Sequence, residues 1–119
     1  MMNSASLRNY CLAKKGATED LPFGPEKLVI KVGGKMFALI FGEEDVPRIN
    51  LKCDPALAME LRRKYPSVKP GYHMNKQHWN TVEVDGSIPE REVLRMIDHS
   101  YELVVKGLTK SERERIESL

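Results

Sequence analysis

The fold is decided by two apolar runs that flank a pair of glycines in residues 28–41, which read LVIKVGGKMFALIF. Adjacent glycines accept the positive φ values of a tight two-residue turn, so the pattern predicts a β-hairpin. The second run is apolar at consecutive positions, which indicates a central strand that is at least partly covered on both faces. Strict alternation assigns that strand two faces, one with Phe37, Leu39 and Phe41 and the other with Met36, Ala38 and Ile40.

Two more strands are predicted on the C-terminal side of this hairpin. Residues 48–53 alternate between apolar and polar side chains, and we expect them to pair antiparallel with the second strand. Residues 78–84 predict a fourth strand, with Asn80 on the same face as its valines. Upstream of the hairpin, residues 17–27 hold two prolines and a glycine, which predicts a loop from which Phe23 enters the core.

Four helices are predicted from their capping residues. The first covers residues 4–15, the second ends before Pro66, and the third carries a long apolar stripe. The last is a short polar helix within residues 109–119, which we expect to be exposed. The predicted N-caps are Ser4, Asp54, Ser87 and Thr109.

The element order is therefore α-β-β-β-α-β-α, followed by the short C-terminal helix. Because helices and strands are grouped and do not strictly alternate, this order predicts an α+β fold with helices packed on an antiparallel sheet. A chain of 119 residues without a repeat or linker fits one domain over residues 1–119. We expect a monomer.

Composition limits the class of protein more than it limits the function. Hydrophobic residues make up 41% of the chain and charged residues 30%, as in an ordinary globular protein. A net charge of +2 permits nucleic acid as a partner but does not demand it. Two cysteines, Cys11 and Cys53, are too few for a disulfide framework. With no apolar run of membrane-spanning length and no signal-peptide pattern over residues 1–10, we expect a cytoplasmic protein without a membrane partner.

The densest group of functional side chains lies in residues 69–80, which read KPGYHMNKQHWN. This segment holds two lysines, two histidines, two asparagines, a tyrosine and the sole tryptophan of the chain. It is predicted to be a loop that leads into the fourth strand, and binding residues are often found in such loops. The segment is therefore the predicted working surface.

Here the sequence resembles the MmcQ/YjbR family of small bacterial proteins. The resemblance rests on KPGYHMNKQHWNTV at residues 69–82, on Asp85-Gly86, and on IDHSYELV at residues 97–104. Earlier matching stretches are DLPFGP at residues 20–25, GKMFA at 34–38 and LKCDP at 51–55, so the resemblance spans about residues 7–110. It implies a CyaY-like sandwich, also compared with a double-wing DNA-binding arrangement, and the function usually given to the family, DNA binding.

We therefore predict a non-enzymatic DNA-binding protein that needs no cofactor. Lysine and arginine side chains are expected to neutralise phosphates, which makes binding salt-dependent. Tyr72, His73 and Asn75 are expected to contact base or sugar. The predicted nucleic-acid contacts are Arg62, Arg63, Lys64, Lys69, Tyr72, His73, Asn75, Lys76, His78 and Asn80.

A protein-interaction or small-ligand-binding domain is the alternative hypothesis. This hypothesis gains support if the positive residues are scattered over the surface. The DNA-binding hypothesis gains support if they line one face beside Tyr72. The candidate residues also have plain structural roles open to them: asparagines commonly bond the backbone of tight loops, and Trp79 suits a core position. An enzyme using His73 or His78 as a general base is a weaker hypothesis. No catalytic residue and no metal site is predicted, because the chain has no CxxC or HExxH pattern.

Overall fold

The computed structural model describes residues 2–119; Met1, which the predicted domain includes, lies outside the described residues. Within residues 2–119 the chain forms four helices and six strands. The helices are α1 (Ser4–Leu12), α2 (Pro55–Lys64), α3 (Glu90–Lys106) and α4 (Lys110–Glu117). The strands are β1 (Ala17–Asp20), β2 (Leu28–Val32), β3 (Lys35–Gly42), β4 (Pro47–Lys52), β5 (Val68–Pro70) and β6 (Trp79–Glu83).

The strands form one antiparallel sheet in the order β1-β2-β3-β4-β6-β5. Side chains from all four helices pack with one face of this sheet in a continuous core, so we call it the covered face. The opposite face, which we call the open face, has a small apolar cluster made only of strand residues. The predicted α+β architecture with helices on an antiparallel sheet is confirmed.

The predicted glycine hairpin joins β2 to β3. Gly33 and Gly34 have φ values of 59° and 78°, which explains why neither position carries a side chain. A Cβ atom on Gly33 would also lie 2.7 Å from a methyl carbon of Leu108, so the turn fits closely against the end of α3.

Strict alternation along β3 is wrong at Met36 and Phe37: Met36 packs with the open-face cluster, and Phe37 lies in the covered-face core. Ile30 pairs with Ala38 while Lys31 pairs with Met36, so Phe37 is the extra residue of a β-bulge. The bulge turns Phe37 toward the covered face, where it is fully buried and packs edge-on against Tyr101 at 5.3 Å. Beyond the bulge the alternation resumes, and Leu39 and Phe41 lie on the open face as predicted together.

A buried serine on α3 completes the hydrogen bonding beside this bulge. The Ser100 hydroxyl donates to the Phe37 carbonyl at 2.6 Å and accepts from the Lys52 amide at 2.9 Å. Its oxygen therefore bridges two backbone groups that do not bond each other across β3 and β4. This is why the apolar stripe of α3 contains a fully buried polar residue.

Two edge strands, β1 and β5, are absent from the sequence prediction. Residues 17–20 read ATED and pair with β2, but their side chains are mostly exposed, so they carry no apolar alternation. Residues 68–70 form only three pairs with β6 and include Pro70, which an edge strand tolerates. Because both segments lack a buried side-chain pattern, they resemble loops in sequence.

Several local predictions also need correction. Asn3 caps α1 in place of Ser4, through a reciprocal pair of bonds with Ser6, and the helix ends at Leu12. Ser87 does not cap α3, which begins after Pro89, because its hydroxyl is bonded to Asp85 and Ser67. Phe23 is 67% exposed and does not enter the core.

The remaining helix starts are as predicted. Asp54 accepts bonds from the amides of Ala56 and Leu57, with Pro55 at the first helical position. Thr109 accepts from the Glu112 amide and caps α4. Most side chains of α4 are exposed, but Ile116 is 1% exposed and packs into the main core, which anchors the helix.

Candidate binding surface

The open face combines apolar strand residues with cations and has two loops laid across it. Its floor is the cluster of Val29, Leu39 and Phe41, which Met36 extends. Arg48 lies beside that floor, with its guanidinium carbon 4.9 Å from the centre of the Phe41 ring. Within residues 2–119 no helix residue belongs to this cluster, although the first turns of α1 reach the edge of the face near Phe41 and Arg48.

Residues 71–78, which we call the covering loop, are pinned to the open face by a buried polar pair. The Tyr72 amide donates to Thr81 Oγ1 at 2.8 Å, and its carbonyl accepts from Asn50 Nδ2 at 3.0 Å. The Thr81 hydroxyl donates in turn to Asn50 Oδ1 at 2.5 Å. Asn50 and Thr81 are 0% and 4% exposed, so this network fixes the backbone of Tyr72 from below.

The fixed backbone presents the Tyr72 ring to solvent. Its ring lies 6.0 Å from the Phe41 ring at an interplanar angle of 20°, and the residue is still 51% exposed. The His73 ring is 4.1 Å from that of Tyr72, on a backbone with a φ of 58°. Non-glycine residues rarely adopt that φ, which indicates that the surrounding bonds hold the loop in one shape.

Two of the predicted contact residues, Arg62 and Asn80, form hydrogen bonds within the protein. Asn80 is 3% exposed, and its side chain accepts from Arg62 Nε at 2.7 Å. Arg62 also donates to the carbonyls of Lys76 and Trp79. This arginine therefore ties α2 to the covering loop and to β6.

Lys69, Lys76 and Asn75 are exposed, but their side chains also form an ion pair or hydrogen bonds within the protein. Lys69 forms an ion pair with Glu83 at 2.5 Å. Lys76 Nζ donates to the Gly71 carbonyl at 2.8 Å, closing the covering loop. The Asn75 side-chain oxygen accepts from the amides of Gln77 and His78, at 2.9 and 3.3 Å. Much of the polar content of the segment thus bonds its own backbone.

The other predicted residues are spread over the surface. Arg63 and Lys64 are exposed in the last turn of α2, among the helices of the covered face. His78 is exposed, whereas Trp79 is half-buried. Of the ten predicted contacts, only Tyr72 and His73 project their rings together from the open face. The predicted cations therefore do not line one face beside Tyr72.

Two other cations, which the sequence analysis did not select, do lie beside Tyr72. Arg48 and Lys27 line a pocket of about 730 Å³ that Tyr72 and Phe41 also border. Within residues 2–119, neither cation is in an ion pair. Arg8 reaches the same pocket but is paired with Glu19 at 2.8 Å, and Glu26 and Glu44 contribute negative charge to its wall. We call this the Arg48 pocket.

A second, more apolar concavity lies between the covering loop and the loop of residues 21–27. It measures about 530 Å³ and we call it the Phe23 groove. Val29, Leu39 and Met36 lie among the residues that line it, together with Phe23 and Met74. Lys27, Lys31 and His73 are its polar lining residues. Because Lys27 borders both concavities, they form adjoining parts of one surface.

Sequence reasoning missed Arg48 and Lys27 for a common reason, and it placed Phe23 in the core. Arg48 and Lys27 are separated by 24 residues or more from Tyr72 in the chain and reach it only through the tertiary fold. A signal did exist for Arg48: in an alternating strand it shares a face with Asn50, two residues on.

The described residues offer no metal centre or spanning helix. Among residues 2–119, no three His, Cys, Asp or Glu side chains are grouped so that they can share a metal ion. Over the same range, no helix has both the length and the apolar character needed to cross a bilayer. Both cysteines are buried free thiols, and burial raises the pKa of Cys11 to about 12 and that of Cys53 to about 11.

Comparison with known proteins gives the family. A family model described as YjbR matches residues 12–103, which include β1 to β6 and the covering loop. The chain belongs to the YjbR family. The YjbR protein of Escherichia coli K12 is 36% identical over 118 residues, covering 99% of this chain and 100% of that protein. YbdF of E. coli O157:H7 is 47% identical over 95 residues, or 80% of this chain and 78% of the relative.

Solved structures agree with this assignment. A crystal structure of Deinococcus radiodurans DR2400, with the domain named DUF419, is 41% identical and superposes with a TM-score of 0.90. The match covers 98% of this chain and 89% of that chain. A Pseudomonas syringae protein is 32% identical with a TM-score of 0.74, covering 86% and 98%. The E. coli relatives are described as uncharacterized, so the function of this YjbR-family chain must be argued from its own surface.

Proposed function

We propose that this chain is a non-enzymatic DNA-binding module and that a single strand of DNA lies across its open face. The observation that carries the proposal is the Tyr72 ring, 51% exposed and rigidly mounted beside the unpaired cations Arg48 and Lys27. An exposed aromatic ring can stack on any base, and neighbouring cations can neutralise the flanking phosphates. This combination suits a flexible single strand.

A duplex is the poorer candidate for the same surface. Duplex recognition uses a helix or ribbon in a groove, supported by clustered cations. Here the helices pack on the covered face, and the predicted lysines and Arg62 are engaged within the protein. The carboxylates of Glu26 and Glu44 at the Arg48 pocket also limit the positive charge available. We therefore expect weaker binding to duplex than to single-stranded DNA.

Fluorescence anisotropy with a labelled oligothymidine strand and a matched duplex tests this proposal. We expect binding to the single strand that weakens steeply between roughly 50 and 200 mM salt. Tyr72→Leu removes a stacking ring worth about 1–3 kcal/mol, so affinity should fall by about 5- to 150-fold. Arg48→Gln should weaken binding and reduce the salt slope by about 1.

The matched control is Arg91→Gln, which removes the same charge from the exposed side of α3. It should leave DNA affinity almost unchanged. An absence of salt-sensitive binding at micromolar protein would contradict the proposal. So would an Arg91→Gln variant that loses as much affinity as Arg48→Gln.

The Phe23 groove favours a second candidate function, the binding of a protein segment or a small ligand. Phe23 is 67% exposed above an apolar floor and beside Lys27, while Lys31 is paired with Asp20 at 3.9 Å, so the groove suits an apolar partner with one negative group. The anionic dye 8-anilinonaphthalene-1-sulfonate serves as the probe. Phe23→Ala should reduce its fluorescence enhancement, whereas Met59→Ala, at another exposed apolar residue on α2, should not. Equal losses in the two variants would remove this candidate.

A further inference from the structure

A separate concavity lies on the covered face, between α2, α3 and the sheet. It has a volume of about 210 Å³ and we call it the α2–α3 cleft. Its apolar lining comes from β4, α2, β6 and α3, and from the residue that follows β4. The lining side chains are Leu51, Cys53, Leu57, Leu61, Val82 and Met96. None of these residues belongs to the open face, so the cleft is independent of the proposed DNA site.

Polar contacts at both ends of α2 fix the width of this cleft. At the start of the helix, the Asp54 amide donates to His99 Nε2 on α3 at 3.1 Å. Toward its end, Arg62 donates to Asn80 at 2.7 Å and to the Trp79 carbonyl at 3.3 Å. Because these bonds have defined lengths, α2 cannot move inward to close the apolar space without breaking them.

The polar groups at the cleft are already satisfied. Asn80 accepts from Arg62 and donates to the Ala58 carbonyl, and Arg95 is paired with Glu92 at 3.1 Å. Cys53 is 5% exposed, and burial raises its pKa to about 11, which keeps the thiol neutral at physiological pH. Among residues 2–119, no buried side-chain nitrogen or oxygen lacks a partner. Lys52 also borders the cleft, but alternation along β4 places its side chain on the open face, with that of Asn50. A charged ligand would therefore find no unmatched counter-charge inside.

The size of the cleft limits its ligand to a fragment. A cavity of roughly 150 Å³ lined by apolar side chains holds benzene, whereas pockets for drug-sized ligands begin at about 300 Å³. The α2–α3 cleft falls between these two values. We propose that it is a binding site for a small, uncharged and largely apolar molecule that is no larger than two fused rings.

Titration of the full chain with indole, followed by amide NMR shifts and by contacts between indole protons and protein methyl groups, tests the site. We expect shifts that saturate and are concentrated at Leu57, Leu61 and Met96, with direct contacts to their methyl groups. Indole-3-carboxylate, which has the same ring system with a charge, should bind at least tenfold more weakly because its carboxylate must be desolvated without a partner.

A matched pair of variants on α2 sharpens the test. Leu57→Trp adds bulk from a half-buried lining position and should abolish the indole shifts, whereas Met59→Trp adds the same bulk on the exposed side and should preserve them. The methyl contacts of the unmodified protein decide the matter even if Leu57→Trp folds poorly. Indole shifts that do not saturate, or that centre on Tyr72 and Phe41, would overturn the proposal. Equal affinity for indole and its carboxylate would also overturn it.

Discussion

The two faces of the sheet bury apolar side chains to different extents. On the covered face, the core joins residues from all four helices to all six strands, and Phe37, Ile49 and Ile97 are completely buried. On the open face, the buried cluster found among residues 2–119 consists of Val29, Leu39 and Phe41, and loops cover it in part. The difference indicates that one face supplies most of the stability, which leaves the other free to present a binding surface.

The largest effect that can test this comparison is the loss of a core aromatic. Phe37→Ala removes a fully buried ring that packs against Tyr101, and should lower the free energy of unfolding by about 3–5 kcal/mol. On the other side of the sheet, Phe23→Ala removes a ring that is 67% exposed and should change stability by less than about 0.5 kcal/mol. Urea unfolding of both variants checks the contrast, and similar losses would contradict the division of roles.

An intermediate effect is expected where the covering loop is pinned to the open face. Asn50→Ala removes the amide that bonds Tyr72 and Thr81, leaving the Tyr72 carbonyl without this donor. An unmet buried group costs about 1–3 kcal/mol, so stability should fall by that amount and the amides of residues 71–78 should exchange faster. Asn9→Ala, at an exposed position on α1, is the control in the same exchange experiment. An unchanged exchange rate in residues 71–78 would show that the Asn50–Thr81 network does not hold the covering loop in place.

A smaller effect is expected from the cysteines, both of which lie in the covered half of the molecule. Burial raises the pKa of the Cys53 thiol to about 11, above the roughly 8.5 of an unfolded chain. The folded state therefore keeps this proton while the unfolded state loses it, and stability should fall as pH rises from about 8.5 toward 11. Urea midpoints measured across this range check the trend. In Cys53→Ala the decline should be shallower, and an identical decline would assign it to other groups.

Much of the covered half could be predicted from sequence, because local pattern and burial agree there. The glycine hairpin, the Asp54-Pro55 helix start and the α3 stripe each depend on residues within a few positions of one another. Phe37 departs from the pattern because its bulge depends on pairing with β2, and Ser100 is explained only by that bulge. Local sequence does not encode such cross-strand effects.

The candidate surface was harder to predict because its residues meet only through the sheet. Tyr72 and His73 could be selected from the sequence as neighbours in a loop. Cations that are free could not be distinguished from cations that form bonds within the protein. Arg62 was expected at a phosphate and instead bonds Asn80, while Arg48 acquires its position beside Phe41 from strand register. The density of polar residues along the chain therefore identified a loop with an exposed aromatic ring, but it did not identify the unpaired cations that lie beside that ring.

The most direct test of the central claim is an amide and side-chain NMR map of the protein with single-stranded DNA. We predict that shifts concentrate on the open face, at Tyr72, His73, Arg48 and Lys27, and fade as salt is raised. We also predict that α2 and α3 remain unaffected. Shifts centred on Arg63 and Lys64 of α2, or spread evenly over both faces, would contradict the assignment of binding to the open face.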